Sequence, residues 1–217
     1  MRLECDAILF DLDGVLVDSS VCVERNWREW AEAHGLDPET IINVAHGQRT
    51  IDTMRRFAPH LDVEEQARRF AEKEATDTDG VYLIPGALAL LELLSREAWA
   101  VVTSGGTRLA HARLRHVGLP IPSVLVTADD VERGKPAPDP YLVAARRMEL
   151  EPAACVVVED SPPGISSARA AGMRVIGLVT THSREDLVAS DVVVDKLESL
   201  RLSVRPQGQP RLVIETA

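Results

Sequence analysis

Two aspartates, Asp11 and Asp13, follow the apolar run at residues 7–10 and precede Gly14 in the stretch AILFDLDGVLVDSS. Acidic side chains at the end of a buried strand are costly unless a partner compensates their charge. A divalent cation, or a reaction in which one carboxylate takes part, would supply that compensation. The pair therefore predicts metal binding or nucleophilic chemistry at this point of the chain.

Polar side chains of matching chemistry follow three later apolar runs. They are Thr103, Ser104, Lys135, Glu159 and Asp160. Carboxylates from two strands can hold Mg²⁺, which favours few carboxylates completed by water and phosphate oxygens. A carboxylate can attack phosphorus to form an aspartyl-phosphate, while a lysine and a metal ion reduce the repulsion between the two anions. A second acid two residues away can protonate the leaving alkoxide and then activate water.

The elements that must position these side chains alternate between short apolar runs and helical stretches. The predicted strands cover residues 7–10, 98–104, 123–130, 154–160, 173–180 and 191–195. The predicted helices between them cover residues 86–97, 108–118, 138–149 and 164–172. This alternation is typical of an α/β fold with a parallel, doubly wound sheet. Because ligands of such sheets bind outside the carboxyl ends of the strands, we expect the polar residues to share one crevice.

Residues 18–84 break the alternation and show helical patterns without a strong strand. The helices predicted there cover residues 22–35, 50–61 and 63–75. Trp27 and Trp30 follow helical spacing and are expected to form the core of this insertion, the alternative being a platform on which a sugar stacks. We therefore divide the chain into an α/β core of residues 1–17 and 85–217 and a helical insertion of residues 18–84. The end of the chain, 205–217, is expected to form an edge strand, a disordered end or an oligomer contact.

Composition and charge exclude several classes of partner. The net charge of −10 argues against nucleic acid, because phosphate backbones require clustered Lys and Arg. The scattered Cys5, Cys22 and Cys155 indicate reduced thiols rather than a disulfide framework. No apolar segment approaches the roughly 18 residues of a membrane helix. We expect a cytoplasmic protein without nucleic-acid or membrane partners, as a monomer or a small homo-oligomer.

Four segments, in order, resemble the four motifs of the haloacid dehalogenase (HAD) superfamily phosphatases: FDLDGVLVDS, VVTSGGT, GKPAPDPY and VVVEDSPPGISSARAAGM. The resemblance implies a Rossmann-like core with a type-I helical cap, a Mg²⁺ cofactor and hydrolysis of small phosphate monoesters through an aspartyl-phosphate. It implies that Asp11 is the nucleophile and a metal ligand. It also implies that Asp13 is the general acid/base, with its carbonyl on the metal. An aspartate at position 13 favours phosphate chemistry over dehalogenation within the superfamily.

The same resemblance implies roles for the later polar residues. Thr103 and Ser104 would bind phosphate, and Lys135 would steady Asp11 and the phosphoryl group. Asp160 would complete the metal site, with Glu159 as a neighbouring ligand or as a partner of the ligands. From the residues alone, Thr103 and Ser104 could instead cap the next helix.

The segment AHGQRTIDT, residues 45–53, resembles the cap segment of the branch that contains 2-deoxyglucose-6-phosphate and glycerol-3-phosphate phosphatases. It implies a small phosphorylated sugar or polyol as the substrate. His46 and Arg49 are the candidate substrate contacts in the cap. The alternatives are a helix end at His46 and a surface charge at Arg49. Glu74 is expected to be a solvated helix charge, with the alternative that the end of the cap faces the crevice.

Two other functions compete with a phosphatase. β-Phosphoglucomutase is a close relative of the phosphatase branch that this chain resembles, and its cap carries a histidine soon after the first motif. The nearest positions here are Cys22, Val23 and Glu24, which argues against a mutase. A non-catalytic phosphate-binding or regulatory protein is the second alternative, and formation of an aspartyl-phosphate distinguishes it from both enzymes.

Overall fold

The computed structural model describes residues 1–204 and 212–216. Its strands are β1 (Arg2–Cys5), β2 (Ala7–Phe10), β3 (Val17–Asp18), β4 (Tyr82–Leu83), β5 (Trp99–Val102), β6 (Leu125–Val126), β7 (Cys155–Glu159), β8 (Arg174–Leu178), β9 (Val192–Val194), β10 (Leu200–Val204) and β11 (Leu212–Thr216). Its α-helices are α1 (Ser20–Ala33), α2 (Pro38–Ala45), α3 (Thr50–Phe57), α4 (Val63–Glu74), α5 (Ala87–Glu92), α6 (Thr107–His116), α7 (Asp139–Arg147) and α8 (Pro162–Ala170).

The central element is a six-stranded parallel sheet in the order β6-β5-β2-β7-β8-β9. This confirms the predicted α/β class. Every residue of β2, β5 and β7 is buried. The chain runs from β2 to β5 and β6 on one side and then crosses to β7 on the other. The order therefore reverses beside β2, and a crevice opens at the carboxyl end of that strand.

Helices cover both faces of this sheet. Ile8 and Phe10 of β2 belong to a core cluster that includes Leu114 of α6. The alternate residues of β2 belong to a second cluster with Tyr141 of α7 and Ile165 of α8. Successive strand residues point to opposite faces, so both faces of β2 are buried by helices. None of the helices within residues 1–204 and 212–216 is long and apolar enough to cross a membrane.

The third predicted strand is much shorter than expected. The pattern predicted residues 123–130, but β6 has only two residues and a 3-10 turn follows at Ala128–Asp130. The Thr127 hydroxyl accepts a hydrogen bond from the Asp129 N–H, and the Asp130 carboxylate accepts one from the Thr127 N–H. These local side-chain bonds replace the strand ladder at this point.

A second, three-stranded antiparallel sheet has the order β1-β11-β10. The sequence did not predict β1. The end of the chain was expected to form an edge strand, a disordered end or an oligomer contact, but Leu212–Thr216 is the middle strand of this sheet. Leu212, Val213 and Ile214 are buried in it. Residues 205–211 and 217 of that prediction lie outside the described residues.

Helices α1–α4 form the insertion, which is called the cap below. Trp27, Trp30, Met54 and Phe70 belong to its own core cluster, and this confirms the predicted role of both tryptophans. Helix α2 was not predicted from the sequence, although its start carries ordinary helix signals: Pro38 is its first residue, and the Asp37 carboxylate accepts a hydrogen bond from the Thr40 N–H. The ribbon of β3 and β4 joins cap and core. The division into residues 1–17, 18–84 and 85–217 stays a prediction.

Candidate active site

Asp11, at the carboxyl end of β2, forms a buried salt bridge with Lys135. The Lys135 Nζ lies 3.0 Å from Asp11 Oδ1 and 2.6 Å from Glu159 Oε1. It also donates a hydrogen bond to the carbonyl oxygen of Val102, at 3.1 Å. Burial lowers the pKa of the Lys135 ammonium, but the charges of Asp11 and Glu159 more than offset this and raise the pKa above its usual value. Lys135 is therefore a permanent cation at the centre of the site.

Asp11, Glu159 and Asp160 form a cluster in which one oxygen of each residue lies within 4.8 Å of the others. Burial raises the pKa of Asp11 to about 7, opposed by the Lys135 charge and reinforced by those of Glu159 and Asp13. Burial also raises the pKa of Asp160 well above its usual value. Three ionised acids beside one lysine would carry an excess of negative charge, and the raised pKa values of Asp11 and Asp160 reflect the cost of burying it. A hard divalent cation with oxygen ligands would balance that charge, and the cluster fits one.

The loop after β2 packs directly against Asp160 of this cluster. Gly14 has a φ of +80°, and a Cβ at this position would lie 1.9 Å from Asp160 Oδ2. Glycine is required there both by the left-handed backbone and by the close approach. The Thr181 hydroxyl donates a hydrogen bond to the same Asp160 oxygen. The carboxylates at the ends of β2 and β7 are thereby held in one place.

Hydrogen bonds occupy both oxygens of Glu159. Oε1 accepts from Lys135 Nζ and from the Tyr141 hydroxyl, at 2.6 and 2.8 Å. Oε2 accepts from the backbone N–H groups of Asp160 and Ser161 and from the Ser161 hydroxyl, at 3.0 to 3.2 Å. Of the two roles expected for Glu159, this geometry favours that of a partner which orients Lys135 and the turn after β7.

Thr103 and Ser104 directly follow β5, and with Asp11 they line the cavity between the cap and the core. The Thr103 hydroxyl accepts a hydrogen bond from the Gly105 N–H, at 3.0 Å. The Ser104 hydroxyl donates to the carbonyl oxygen of Gly47 in the cap, at 2.8 Å. Neither side chain caps α6, because Asp129 accepts from the Thr107 N–H instead. Ser104 thus contacts the cap as well as the cavity.

Asp13 forms an ion pair with Arg113, a residue that was not predicted from the sequence to lie in the site. Its Oδ1 lies 2.6 Å from Arg113 Nη1 on α6 and accepts from the Ser19 hydroxyl at 2.8 Å. Arg113 Nη2 in turn lies 3.4 Å from Glu74 Oε1, at the end of cap helix α4. The prediction that Glu74 is a solvated charge is wrong, since its side chain is only 6% exposed. Burial raises the pKa of Glu74 to about 7.

The position of Arg113 in the sequence could have predicted that it pairs with a buried anion. It lies on the buried face of α6 together with Leu109, Ala110 and Leu114. A single arginine on the apolar face of an amphipathic helix requires a buried anion. The anions themselves could not be identified, because Asp13 and Glu74 are 100 and 39 residues away along the chain.

The cap and the core enclose a small cavity over the cluster. Asp11, Asp13, Thr103 and Asp160 line it from the core, and His46, Gln48, Thr50 and Glu74 line it from the cap. His46 faces His182 of the core, with ring centroids 6.1 Å apart. The cavity volume is about 70 Å³, which suffices for a few water molecules but not for a sugar phosphate. The structure therefore describes a closed cap, and substrate entry requires the cap to move.

Arg49, the other candidate contact in the cap, lies outside the lining of this cavity. Its Nε lies 2.7 Å from Asp52 Oδ2. Its Nη1 donates to the carbonyl oxygens of Glu132 and Val131 in the core, at 2.8 and 3.3 Å. In the closed state Arg49 therefore joins the cap to the core rather than facing the cavity.

Comparisons with known proteins agree with this site. Residues 5–172 match the family model of the haloacid dehalogenase-like hydrolases. Hexitol phosphatase A of Escherichia coli (strain K12) is 43% identical over 95% of this chain and 98% of its own length. Glycerol-1-phosphate phosphohydrolase 2 of Saccharomyces cerevisiae is 35% identical over 93% and 86% of the two chains. The crystal structure of a hydrolase from Pseudomonas syringae superposes with a TM-score of 0.79 at 29% identity, covering 89% of this chain and 94% of that one. The chain belongs to the haloacid dehalogenase-like hydrolase family, and within that family it is a phosphatase.

Proposed function

We propose that the protein is a Mg²⁺-dependent phosphatase that hydrolyses small polyol or sugar phosphates through an aspartyl-phosphate on Asp11. One observation carries this proposal. The buried Asp11 carboxylate is paired with Lys135 and clusters with Asp160, and Asp13 lines the same cavity as both carboxylates. A nucleophile, a metal-binding acid and a proton donor thus line one cavity, and the nucleophile is paired with a buried cation, as phosphoryl transfer requires.

Carboxylate oxygens of Asp11 and Asp160 and the backbone carbonyl of Asp13 would hold the metal. When bound, Mg²⁺ would neutralise phosphate charge and orient the phosphoryl group. Glu159 would hold Lys135 and the turn after β7 in place rather than bind the metal directly. The cluster of three buried carboxylates supports a metal site at this position.

The chemistry then divides between two aspartates. A carboxylate oxygen of Asp11 attacks phosphorus as the bond from phosphorus to the leaving oxygen breaks, and Asp13 donates its proton to that oxygen. Asp13 next takes a proton from water, the water oxygen attacks phosphorus, and the bond to Asp11 breaks to release inorganic phosphate. Lys135 would balance the charge of the phosphoryl oxygens during both steps. Thr103 would bind those oxygens, and Ser104 would bind them from the edge of the cavity.

The substrate class rests on the relatives and on the polar cap face of the cavity. Relatives named hexitol phosphatase A and glycerol-1-phosphate phosphohydrolase 2 cover almost the whole chain. His46, Gln48 and Thr50 offer hydrogen-bonding groups from the cap, which suits a leaving group with several hydroxyls. The apolar Val23 lines the cavity near the start of the cap. It cannot pass a proton to a bound sugar, and this favours a phosphatase over a phosphomutase.

The test is phosphate release from a panel of hexitol, glycerol, hexose and pentose phosphates. We expect turnover of polyol or sugar phosphates with Mg²⁺, and loss of turnover with EDTA or in Asp11→Asn. The matched control is Asp195→Asn, because Asp195 is exposed and pairs with Arg184 rather than with a residue of the cluster. Release that persists in Asp11→Asn would refute the covalent mechanism. Isomerisation of β-glucose 1-phosphate without net release of phosphate would favour the mutase.

We also propose a cytoplasmic location. All three cysteines are free and buried, which supports a reducing compartment. The net charge of −10 supports the absence of a nucleic-acid partner. A monomer or a small homo-oligomer remains our expectation, and sedimentation would test it.

A further inference from the structure

A buried arginine on α6 joins the cap to the loop after β2. Arg113 Nη1 lies 2.6 Å from Asp13 Oδ1, and Arg113 Nη2 lies 3.4 Å from Glu74 Oε1. Glu74 is the last residue of α4 and so belongs to the cap. The side chains of Arg113 and Glu74 are 4% and 6% exposed, so solvent and salt screen the bridge little.

The contacts of Asp13 hold its carboxylate by one oxygen. The Ser19 hydroxyl donates to Oδ1 at 2.8 Å, and Arg113 meets the same atom. Within residues 1–204 and 212–216, Oδ2 receives no hydrogen bond, and Asp13 lines the cavity. This leaves one carboxylate oxygen for a ligand while the other is fixed. A guanidinium suits such a task because its N–H groups have fixed directions, unlike those of an ammonium group.

A second feature indicates that the Arg113 guanidinium is committed to its contacts with Asp13 and Glu74. The Arg113 Nε is buried and has no hydrogen-bond partner among the described residues. An unsatisfied buried donor is unfavourable. The guanidinium therefore adopts the orientation that meets Asp13 and Glu74 rather than the one that would use all its donors.

We propose that Arg113 is a positioning residue that orients the Asp13 carboxylate towards the leaving-group oxygen, and that Glu74 links this orientation to closure of the cap. The inference rests on the function proposed above. Glu74 moves with the cap, so its contact with Arg113 depends on the closed state. Proton transfer by Asp13 is thereby favoured when the cavity is shut and water is excluded.

The experiment compares two substrates that differ in their need for a proton donor. A polyol phosphate leaves as an alkoxide and needs the proton of Asp13, whereas acetyl phosphate leaves as acetate and does not. The value of kcat/KM includes phosphoryl transfer to Asp11 but not the later hydrolysis. In Arg113→Met we expect kcat/KM for glycerol 1-phosphate to fall about 100-fold, the scale of general acid catalysis, and kcat/KM for acetyl phosphate to change less than about threefold.

The matched control is Arg115→Met, an exposed arginine on the same helix, which should leave both values unchanged. Arg113→Lys should restore only a small part of the activity on glycerol 1-phosphate, since the ammonium lacks the fixed fork. Arg113→Met also removes the cation beside the buried Glu74 and the partly buried Asp13, which is enough to threaten the fold. The variant Arg113→Met/Glu74→Gln removes one of the two carboxylate charges, and thermal unfolding verifies its fold before the assay.

A folded double variant that still discriminates between the two substrates supports the proposal. Parallel losses on glycerol 1-phosphate and acetyl phosphate would overturn it, because Arg113 would then act only on the structure of the interface. Full recovery of glycerol 1-phosphate turnover in the double variant would overturn it as well. Failure of the wild-type protein to release phosphate from any ester would instead refute the proposed function, and this inference with it.

Discussion

Replacing Lys135 by Met tests the electrostatic account of the site most directly. The ammonium group lies 3.0 Å from Asp11 and 2.6 Å from Glu159, and the Lys135 side chain has no exposed surface. Methionine keeps most of the side-chain volume but leaves both carboxylates without their cation. Removal of one partner from a buried ion pair typically destabilises a protein by about 3–5 kcal/mol. We expect a loss of that size in the free energy of unfolding, against a total of about 5–15 kcal/mol for a typical protein.

The loss in the free energy of unfolding of Lys135→Met should be larger at higher pH. Burial already raises the pKa of Asp11 to about 7, and Lys135 opposes that rise. Without the lysine the pKa rises further, so the folded state binds a proton that the unfolded state releases. Stability then falls as pH rises from the unfolded pKa towards the folded one. Urea unfolding in EDTA at pH 6 and pH 8 should therefore show the larger loss at pH 8.

The control is Lys196→Met, which removes an exposed lysine and should cost less than about 1 kcal/mol. The variant Lys135→Met/Glu159→Gln removes one unpaired charge and should recover part of the loss. A loss for Lys135→Met no larger than that for Lys196→Met would refute the reasoning, because it would mean that the buried carboxylates do not depend on the lysine.

Three further predictions follow from the same site. At 100 times its dissociation constant, Mg²⁺ should stabilise the wild-type protein by about 2.7 kcal/mol and so raise its unfolding temperature. It should not raise the unfolding temperature of Asp160→Asn. An equal shift in both proteins would place the ion elsewhere. Glu74 has a pKa raised to about 7, so the folded state binds a proton that the unfolded state loses between its usual pKa and 7, and stability due to this group falls as pH rises through that range. Glu74→Gln should therefore gain stability relative to the wild type from pH 5 to pH 8, by at most about 3 kcal/mol, and urea unfolding that shows a constant difference would contradict this. Gly14→Ala should lower stability by at least about 1 kcal/mol through its left-handed backbone and should abolish the Mg²⁺ effect, because its Cβ would displace the Asp160 carboxylate; calorimetric Mg²⁺ binding equal to wild type would refute this placement.

The sequence by itself determined the α/β class and the residues at the ends of the strands. Val-rich runs that alternate with amphipathic helices leave few arrangements other than a parallel sheet. In a parallel sheet the carboxyl ends of strands share an edge, so the positions of Asp11, Thr103 and Asp160 along the chain sufficed to place them together. Each of these residues lies at the end of an apolar run, so it can be recognised from neighbouring residues without knowledge of distant contacts.

Only the tertiary structure decided what lies between the cap and the core. Glu74 has the pattern of a solvated helix charge, yet it is buried against Arg113. Arg49 resembles a substrate contact, yet its guanidinium binds carbonyl oxygens of the core. The end of the chain became the middle strand of a second sheet because β1, at the other end of the chain, pairs with it. Each of these outcomes depends on contacts between residues far apart in sequence, which hydrophobic periodicity and local motifs do not encode.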